Sequence, residues 1–186
     1  MERRSFIQLP LMASFIALAN KHMLLTTEPA KPYVVRAGQD RNQEELHIMG
    51  GQFDCKVSSK DSDGAFLMYD TVRREKGGPA YHLHHSQDEL FYIIKGEFLI
   101  KIADETFTLK AGDLAFAPRK TPHAFAKISD EEGQMLVMFQ PAGSMEDFFL
   151  QMSKMGTGIP KGQEKRLKEL WATHGMEILG PPLKID

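Results

Sequence analysis

Short runs of apolar and β-branched residues recur along the middle of the chain, separated by segments rich in Gly, Pro and Asp. Such runs predict β-strands, and no helical pattern alternates with them. Many short strands without intervening helices favour an antiparallel sandwich or barrel, so we predict an all-β fold. The predicted strands span residues 33–35, 52–57, 65–73, 89–94, 97–103, 105–109, 113–117, 123–128 and 134–140.

The pattern changes after residue 141. Ser144 is typical of a helix N-cap and predicts a helix that continues to residue 154. Leu167 and Trp171 recur at helical spacing and predict a second helix over 163–174, which we expect to pack on the barrel as a lid. Extended structure is predicted for 176–182.

The start of the chain resembles an export signal. Arg3 and Arg4 precede a mostly apolar segment that is too short to cross a membrane, and Ala17-Leu18-Ala19 resembles a cleavage site. We therefore predict a twin-arginine signal peptide over 1–19 and a periplasmic or exported protein. The alternative is an amphipathic helix of a cytoplasmic protein, and a native N-terminus at Met1 would favour it.

Length and charge bound the remaining possibilities. A chain of 186 residues suits one main domain, which we divide into an extension at 20–49, a barrel at 50–141 and a helical tail at 142–186. The net charge of −2, with mixed acids and bases, provides no basic stripe for nucleic acid. The single cysteine, Cys55, excludes an internal disulfide and is expected to be a buried apolar residue.

Candidate metal ligands stand just before the strand at 89–94. His82 and His84 are two residues apart, so on an extended strand they lie on the same face and can converge on one ion. Glu89 follows five residues later, whereas the neighbouring His85 is expected to face the other way. The segment therefore indicates metal-ligand chemistry on a β scaffold.

Two segments together resemble the two motifs of the cupin superfamily. They read Pro79-x2-His82-x-His84-x4-Glu89-x6-Gly96 and Gly112-Asp113-x4-Pro118-x3-Pro122-His123. The resemblance implies an antiparallel jelly-roll β-barrel and a homodimer. It also implies one divalent transition metal ion per chain (Fe, Mn, Ni, Cu, Co or Zn), because imidazole and carboxylate groups accept all of them. The implied ligands are His82, His84, Glu89 and His123.

The sequence around these motifs is similar to that of single-domain cupins grouped with quercetin 2,3-dioxygenases. The resemblance implies a metal-dependent dioxygenase for a small oxygenated or aromatic compound, with Glu89 as the catalytic group that accepts a substrate proton. A non-oxidative isomerase or lyase, and a metal-loaded protein that binds a small ligand without turnover, remain alternatives. Lys120 and Lys127 depart from the usual Gly and Asn of the second motif and put the polarity of the pocket in doubt.

Aromatic residues and methionines are candidates for the wall of a substrate pocket. Phe125 lies two residues after His123, on the same face of its strand, and is the best candidate. Phe91 and Met68 are further candidates. Phe98 and Phe116 are expected to pack in the barrel interior.

Overall fold

The computed structural model describes residues 31–156, 162 and 164–185, so the predicted signal peptide at 1–19 lies outside the described residues. The described chain is mostly antiparallel β-structure with two helices, as the apolar pattern predicts. The strands are β1 Leu46–Ile48, β2 Gly51–Val57, β3 Leu67–Arg73, β4 Ala80–His84, β5 Asp88–Lys95, β6 Phe98–Ile102, β7 Glu105–Leu109, β8 Leu114–Ala117, β9 His123–Lys127, β10 Gly133–Gln140 and β11 Met176–Pro182.

These strands form two antiparallel sheets of the jelly-roll fold. One sheet has the order β1-β2-β3-β10-β5-β8, and the other has the order β11-β4-β9-β6-β7. Side chains that alternate along each strand point to opposite faces, so each sheet contributes one face to the interior. The buried apolar side chains of both sheets form one continuous cluster with those of the two helices.

The helices follow the barrel strands in sequence and pack on them. The helix α1 (Met145–Lys154) begins after Ser144, whose side chain makes no capping hydrogen bond to the helix. That side chain lies instead 2.9 Å from Nδ1 of His174. The helix α2 (Glu164–Thr173) is followed by Gly175 in the left-handed conformation, with φ of 74°, which ends the helix as predicted.

Two strand predictions differ from the structure. Residues 33–35 form no strand; the hydroxyl of Tyr33 lies 3.1 Å from the carbonyl oxygen of Lys56. In β8, the side chain of Phe116 is 49% exposed rather than interior. The strand places the small residues Ala115 and Ala117 on the buried face, and Leu114 and Phe116 consequently lie outside.

The sequence prediction for Cys55 is confirmed. Cys55 is buried, and burial raises the pKa of its thiol, so it is an apolar core residue rather than a reactive group. Among the described residues, no helix has the length and apolar character needed to span a membrane.

Candidate metal centre

Four side chains from three strands meet between the two sheets. His82 and His84 belong to β4, and their strand pairs with β9 so that His82 lies directly opposite His123. Glu89 comes from β5 of the other sheet. All four residues are buried, and one ligand atom from each lies within 4.8 Å of the others. The two motifs are thus brought together by the pairing of β4 with β9.

The backbone fixes the orientation of two imidazole rings. Nδ1 of His82 lies 2.7 Å from the carbonyl oxygen of Ala80, and Nδ1 of His123 lies 2.9 Å from that of Thr121. A carbonyl oxygen only accepts, so both Nδ1 atoms donate. In the neutral tautomer, Nε2 of each ring then keeps its lone pair, which is the form that binds a metal ion.

The contacts of Glu89 require a positive charge between the groups. Its Oε2 lies 2.8 Å from Nε2 of His123 and 3.0 Å from Nε2 of His84. Two lone pairs at such distances repel, and a proton or a metal ion between them removes the repulsion. His84 also has no aligned hydrogen bond at either ring nitrogen, although both are buried. Such an orphaned nitrogen fits a metal ligand, so the donor set fits a divalent transition metal ion.

Burial and the neighbouring charges shift the pKa values of the clustered side chains in different directions. Burial raises the pKa of Glu89, but the contacts with His123 and His84 outweigh it and hold the pKa below its ordinary value. Burial lowers the pKa of His123, yet the neighbouring carboxylate raises it more. Burial and the charge of His123 lower the pKa of His82 to about 3. Glu89 is therefore ionised and His82 neutral at pH 7, which are the states in which they bind cations.

An apolar cavity lies beside the four residues, and α1 and α2 form part of its wall. The ring of Trp171 on α2 stands edge-on to His82, with centroids 4.8 Å apart. The cavity is lined by Ile48, Met49, Phe53, Arg73, Pro79, His82, His84, Glu89, Phe125, Val137, Phe139, Met145, Phe148, Phe149, Met152, Trp171 and Met176. The second helix thus closes over the barrel interior, as its apolar stripe predicts.

The predicted pocket residues occupy different places. Phe125 lines the cavity. Phe91 is fully buried behind it, with its ring centroid 5.7 Å from that of Phe125 and 5.9 Å from that of His123. Met68 is not among the residues that line this cavity. Along β3 its side chain alternates with the buried Leu67, so it lies on the outer face of the sheet.

The cavity wall does not include Lys120 and Lys127, which depart from the usual second motif, or His85, the neighbour of His84. Lys127 is fully buried, and its Nζ donates to the carbonyl of Ser129 at 2.6 Å. Lys120 adopts the left-handed conformation with φ of 65°, which explains why Gly is usual there. His85 is exposed and lies 3.9 Å from Glu177, on the opposite face from His84, as predicted.

The sequence reasoning missed Arg73, which lines the same cavity and is only 4% exposed. It lies outside both motifs. A signal was nevertheless present, because Arg73 has the same parity along β3 as the buried Leu67, Tyr69 and Thr71.

Comparison with known proteins is consistent with this geometry. Residues 71–139 match the family model of the cupin domain. The chain contains a cupin domain. The matched region holds all four clustered residues and most of both sheets. A crystal structure of a predicted oxalate decarboxylase from Thermotoga maritima superposes with a TM-score of 0.51 at 20% identity, covering 59% of this chain and 99% of that chain. This likeness supports the cupin fold.

Curated proteins are similar to part of the chain. An uncharacterized protein from Methanocaldococcus jannaschii is 35% identical over 66 residues, which cover 36% of this chain and 53% of the relative. A 3-hydroxyanthranilate 3,4-dioxygenase from Pyricularia oryzae is 31% identical over 78 residues, which cover 38% of this chain and 42% of the enzyme. The chain thus spans about half the length of these relatives.

Proposed function

We propose that this cupin is a metal-dependent dioxygenase that acts on a small oxygenated or aromatic compound. The observation that carries the proposal is the meeting of three imidazoles and one carboxylate, all buried, beside an apolar cavity. Such a donor set leaves a divalent ion with residual positive charge and open coordination positions. The partial similarity to the fungal dioxygenase and the motif wording shared with quercetinase-like cupins support the same class.

The residues of the chain have separable roles in this proposal. His82, His84, Glu89 and His123 would hold the ion, which supplies Lewis-acid activation of a substrate oxygen and redox chemistry. Glu89 is ionised at neutral pH because its pKa is held low, so it can accept the proton of a substrate hydroxyl. The hydrogen bonds from His82 to Ala80 and from His123 to Thr121 keep both rings oriented.

The cavity wall excludes water from the reaction. Phe125, Phe148 and Trp171 bring aromatic surface from β9, α1 and α2 against the same space. A low-dielectric site strengthens each electrostatic interaction inside it and suppresses side reactions with solvent. The helical tail is therefore a functional part of the site in this proposal.

Elemental analysis of natively purified protein followed by oxygen uptake tests the proposal. We expect a transition metal and oxygen consumption with at least one of the flavonols, catechols or diketones. His84→Ala should lose most of the metal, whereas His85→Ala, altering the exposed neighbour, should retain it. Metal-replete protein that consumes no oxygen with any of these compounds would refute the dioxygenase, and full metal occupancy in His84→Ala would refute the ligand assignment.

Oxygen dependence also separates the alternatives. Product formed under strictly anaerobic conditions would indicate an isomerase or a lyase. Calorimetric binding of a compound without any turnover would indicate a ligand-binding protein. Either result leaves the four-residue centre intact and replaces only the proposed reaction.

We further propose that two copies of the chain associate at the edge of the six-stranded sheet. The last strand there is β8, where Leu114 and Phe116 are 52% and 49% exposed. Tyr92 on the neighbouring β5 lies opposite Leu114 and is 37% exposed. An apolar sheet edge is covered when an identical edge packs on it across a two-fold axis. Light scattering should show a dimer that Phe116→Asp converts to a monomer; a monomeric wild type at micromolar concentration would refute this.

A further inference from the structure

The cavity beside the metal centre contains a second charged group. Arg73, the last residue of β3, is 4% exposed and lines the cavity together with His82, His84 and Glu89. Its Nη2 donates to the backbone carbonyl of Met49, while its Nε is buried and has no hydrogen-bond partner. A buried guanidinium that keeps an N–H unpaired indicates that an acceptor belongs there.

The protein supplies no neutralising charge to Arg73. Within the described part of the chain, no carboxylate lies within 4.0 Å of its guanidinium. The group lies over the ring of Phe125, with Cζ 5.6 Å from the centroid. Burial alone lowers the pKa of Arg73, to about 10, and the charge of Arg73 adds to burial in lowering the pKa of Lys127. The local field is therefore positive and uncompensated, which favours an anion.

The guanidinium lies beside a position of the neighbouring strand that carries no side chain. Gly51 on β2 pairs with Arg73 in register, and a Cβ on Gly51 would lie 2.8 Å from Nη1 of Arg73. A larger residue at position 51 would therefore require the guanidinium to shift.

Trp171 adds a second orphaned donor. Its side chain is 4% exposed and lines the same cavity, and its Nε1 is buried without a partner. Indole Nε1–H and guanidinium Nε–H only donate, so both need an acceptor from outside the protein. The carboxylate in the cavity, Glu89, is already engaged by His84 and His123. The free polar groups of the cavity wall are therefore donors that lack an acceptor.

We propose that Arg73 and Trp171 form an anion-binding site that takes the carboxylate of a small, largely apolar organic acid. A carboxylate offers the several acceptor positions that the two donors lack, and it pairs with a guanidinium through charge-assisted hydrogen bonds. The free space of the cavity is about 60 Å³, so the side chains of the aromatic wall that includes Phe125 and Phe148 have to move apart to admit the body of the acid. The identification of such an acid as the substrate rests on the proposed function; the anion site itself does not.

The charge of the whole cavity agrees with this ligand class. A divalent ion retains one net positive charge after coordination by Glu89, and Arg73 adds another. A neutral substrate would leave the charge of Arg73 buried and unpaired, whereas a carboxylate neutralises it. The acid that binds Arg73 thereby brings its apolar body, and any hydroxyl it bears, towards the metal centre.

Benzoate and benzamide test the site, because they share one shape and differ in charge. Both are titrated anaerobically into metal-free and Zn²⁺-loaded protein, with calorimetry and the emission of Trp171 as readouts; Trp171 is the one tryptophan of the sequence. We expect benzoate to bind at least tenfold more tightly than benzamide. Arg73→Met should weaken benzoate by about 10- to 100-fold, the size expected for hydrogen bonds to a charged group, and leave benzamide unchanged.

Two further variants separate the site from general charge effects. Arg73→Lys keeps the charge and should retain part of the benzoate affinity. Arg74→Met removes the guanidinium of the next residue in the chain, whose side chain is 84% exposed, and this variant should bind benzoate as the wild type does. Arg73→Met that is folded by circular dichroism and binds benzoate with wild-type affinity would overturn the proposal, as would a wild type that does not prefer benzoate to benzamide. Benzoate binding by a protein whose metal-replete form consumes no oxygen with flavonols, catechols or diketones would instead refute the dioxygenase and keep the anion site.

Discussion

Replacing Arg73 by methionine should make the ligand-free protein more stable. Methionine keeps the length of the buried side chain but removes the guanidinium, which has no carboxylate partner among the described residues. Breaking a buried ion pair destabilises a protein, but here there is no pair to break. The substitution therefore removes a charge whose burial the folded protein currently has to accommodate.

The size of the effect follows from three contributions. Burial lowers the pKa of Arg73 from its ordinary value to about 10, which corresponds to a penalty of roughly 3 kcal/mol for the charged form. The carbonyl of Met49 loses its donor, at a cost of about 1 to 2 kcal/mol. The contact with the ring of Phe125 is lost as well, at about 0.5 kcal/mol. The net gain is about 1 kcal/mol, or roughly 2 to 4 °C in Tm.

Urea denaturation of metal-free protein, followed by far-ultraviolet circular dichroism in buffer without carboxylates, measures this difference. Arg74→Met is the matched control and should stay within about 0.5 kcal/mol of the wild type. Benzoate at 100 times its wild-type Kd should add about 2.7 kcal/mol to the wild type but only about 0.4 to 1.4 kcal/mol to Arg73→Met, whose affinity is 10- to 100-fold weaker, so that their order reverses. A loss of more than about 1 kcal/mol in Arg73→Met without ligand would show that protein groups already satisfy the guanidinium, and the reasoning would fail.

Three other substitutions test separate parts of the structure. Burial raises the pKa of Glu146, but hydrogen bonds led by those from Ser59 and Ser58 outweigh burial and hold the pKa below 4.5. Glu146→Gln should therefore lower the free energy of unfolding by about 2 kcal/mol at pH 7, and the difference measured by urea denaturation should shrink as the pH falls below 4.5. A difference that stays constant with pH would contradict the lowered pKa. Lys120→Gly should gain about 0.5 to 1 kcal/mol in thermal unfolding by relieving the positive φ of 65°, and destabilisation would refute the strain argument. Trp171→Phe should weaken benzoate about fivefold by calorimetry, and unchanged affinity would remove the indole from the site.

The strands could be predicted from the sequence because they depend on local rules. Period-two alternation placed His82 and His84 on one face, and the resemblance to the cupin motifs implied that Glu89 and His123 join them. The same reasoning did not predict that Phe116 is exposed, because alternation separates the two faces of a strand without showing which face is buried. In β8 the narrow interior takes alanines, so the larger side chains lie outside. The choice between faces depends on the packing of the opposite sheet, which one strand does not encode.

The anion site was beyond prediction for a related reason. Arg73 and Arg74 are adjacent and chemically identical, and the structure buries one and exposes the other. Parity along β3 assigns Arg73 to the face of Tyr69, but this face becomes a cavity wall only when α2 brings Trp171 over it. The cupin motifs specify the metal ligands within the barrel, whereas the proposed specificity group stands outside them and is completed by the helical tail. In this proposal, the choice of substrate therefore depends on the end of β3 and on the covering helix rather than on the four clustered residues alone.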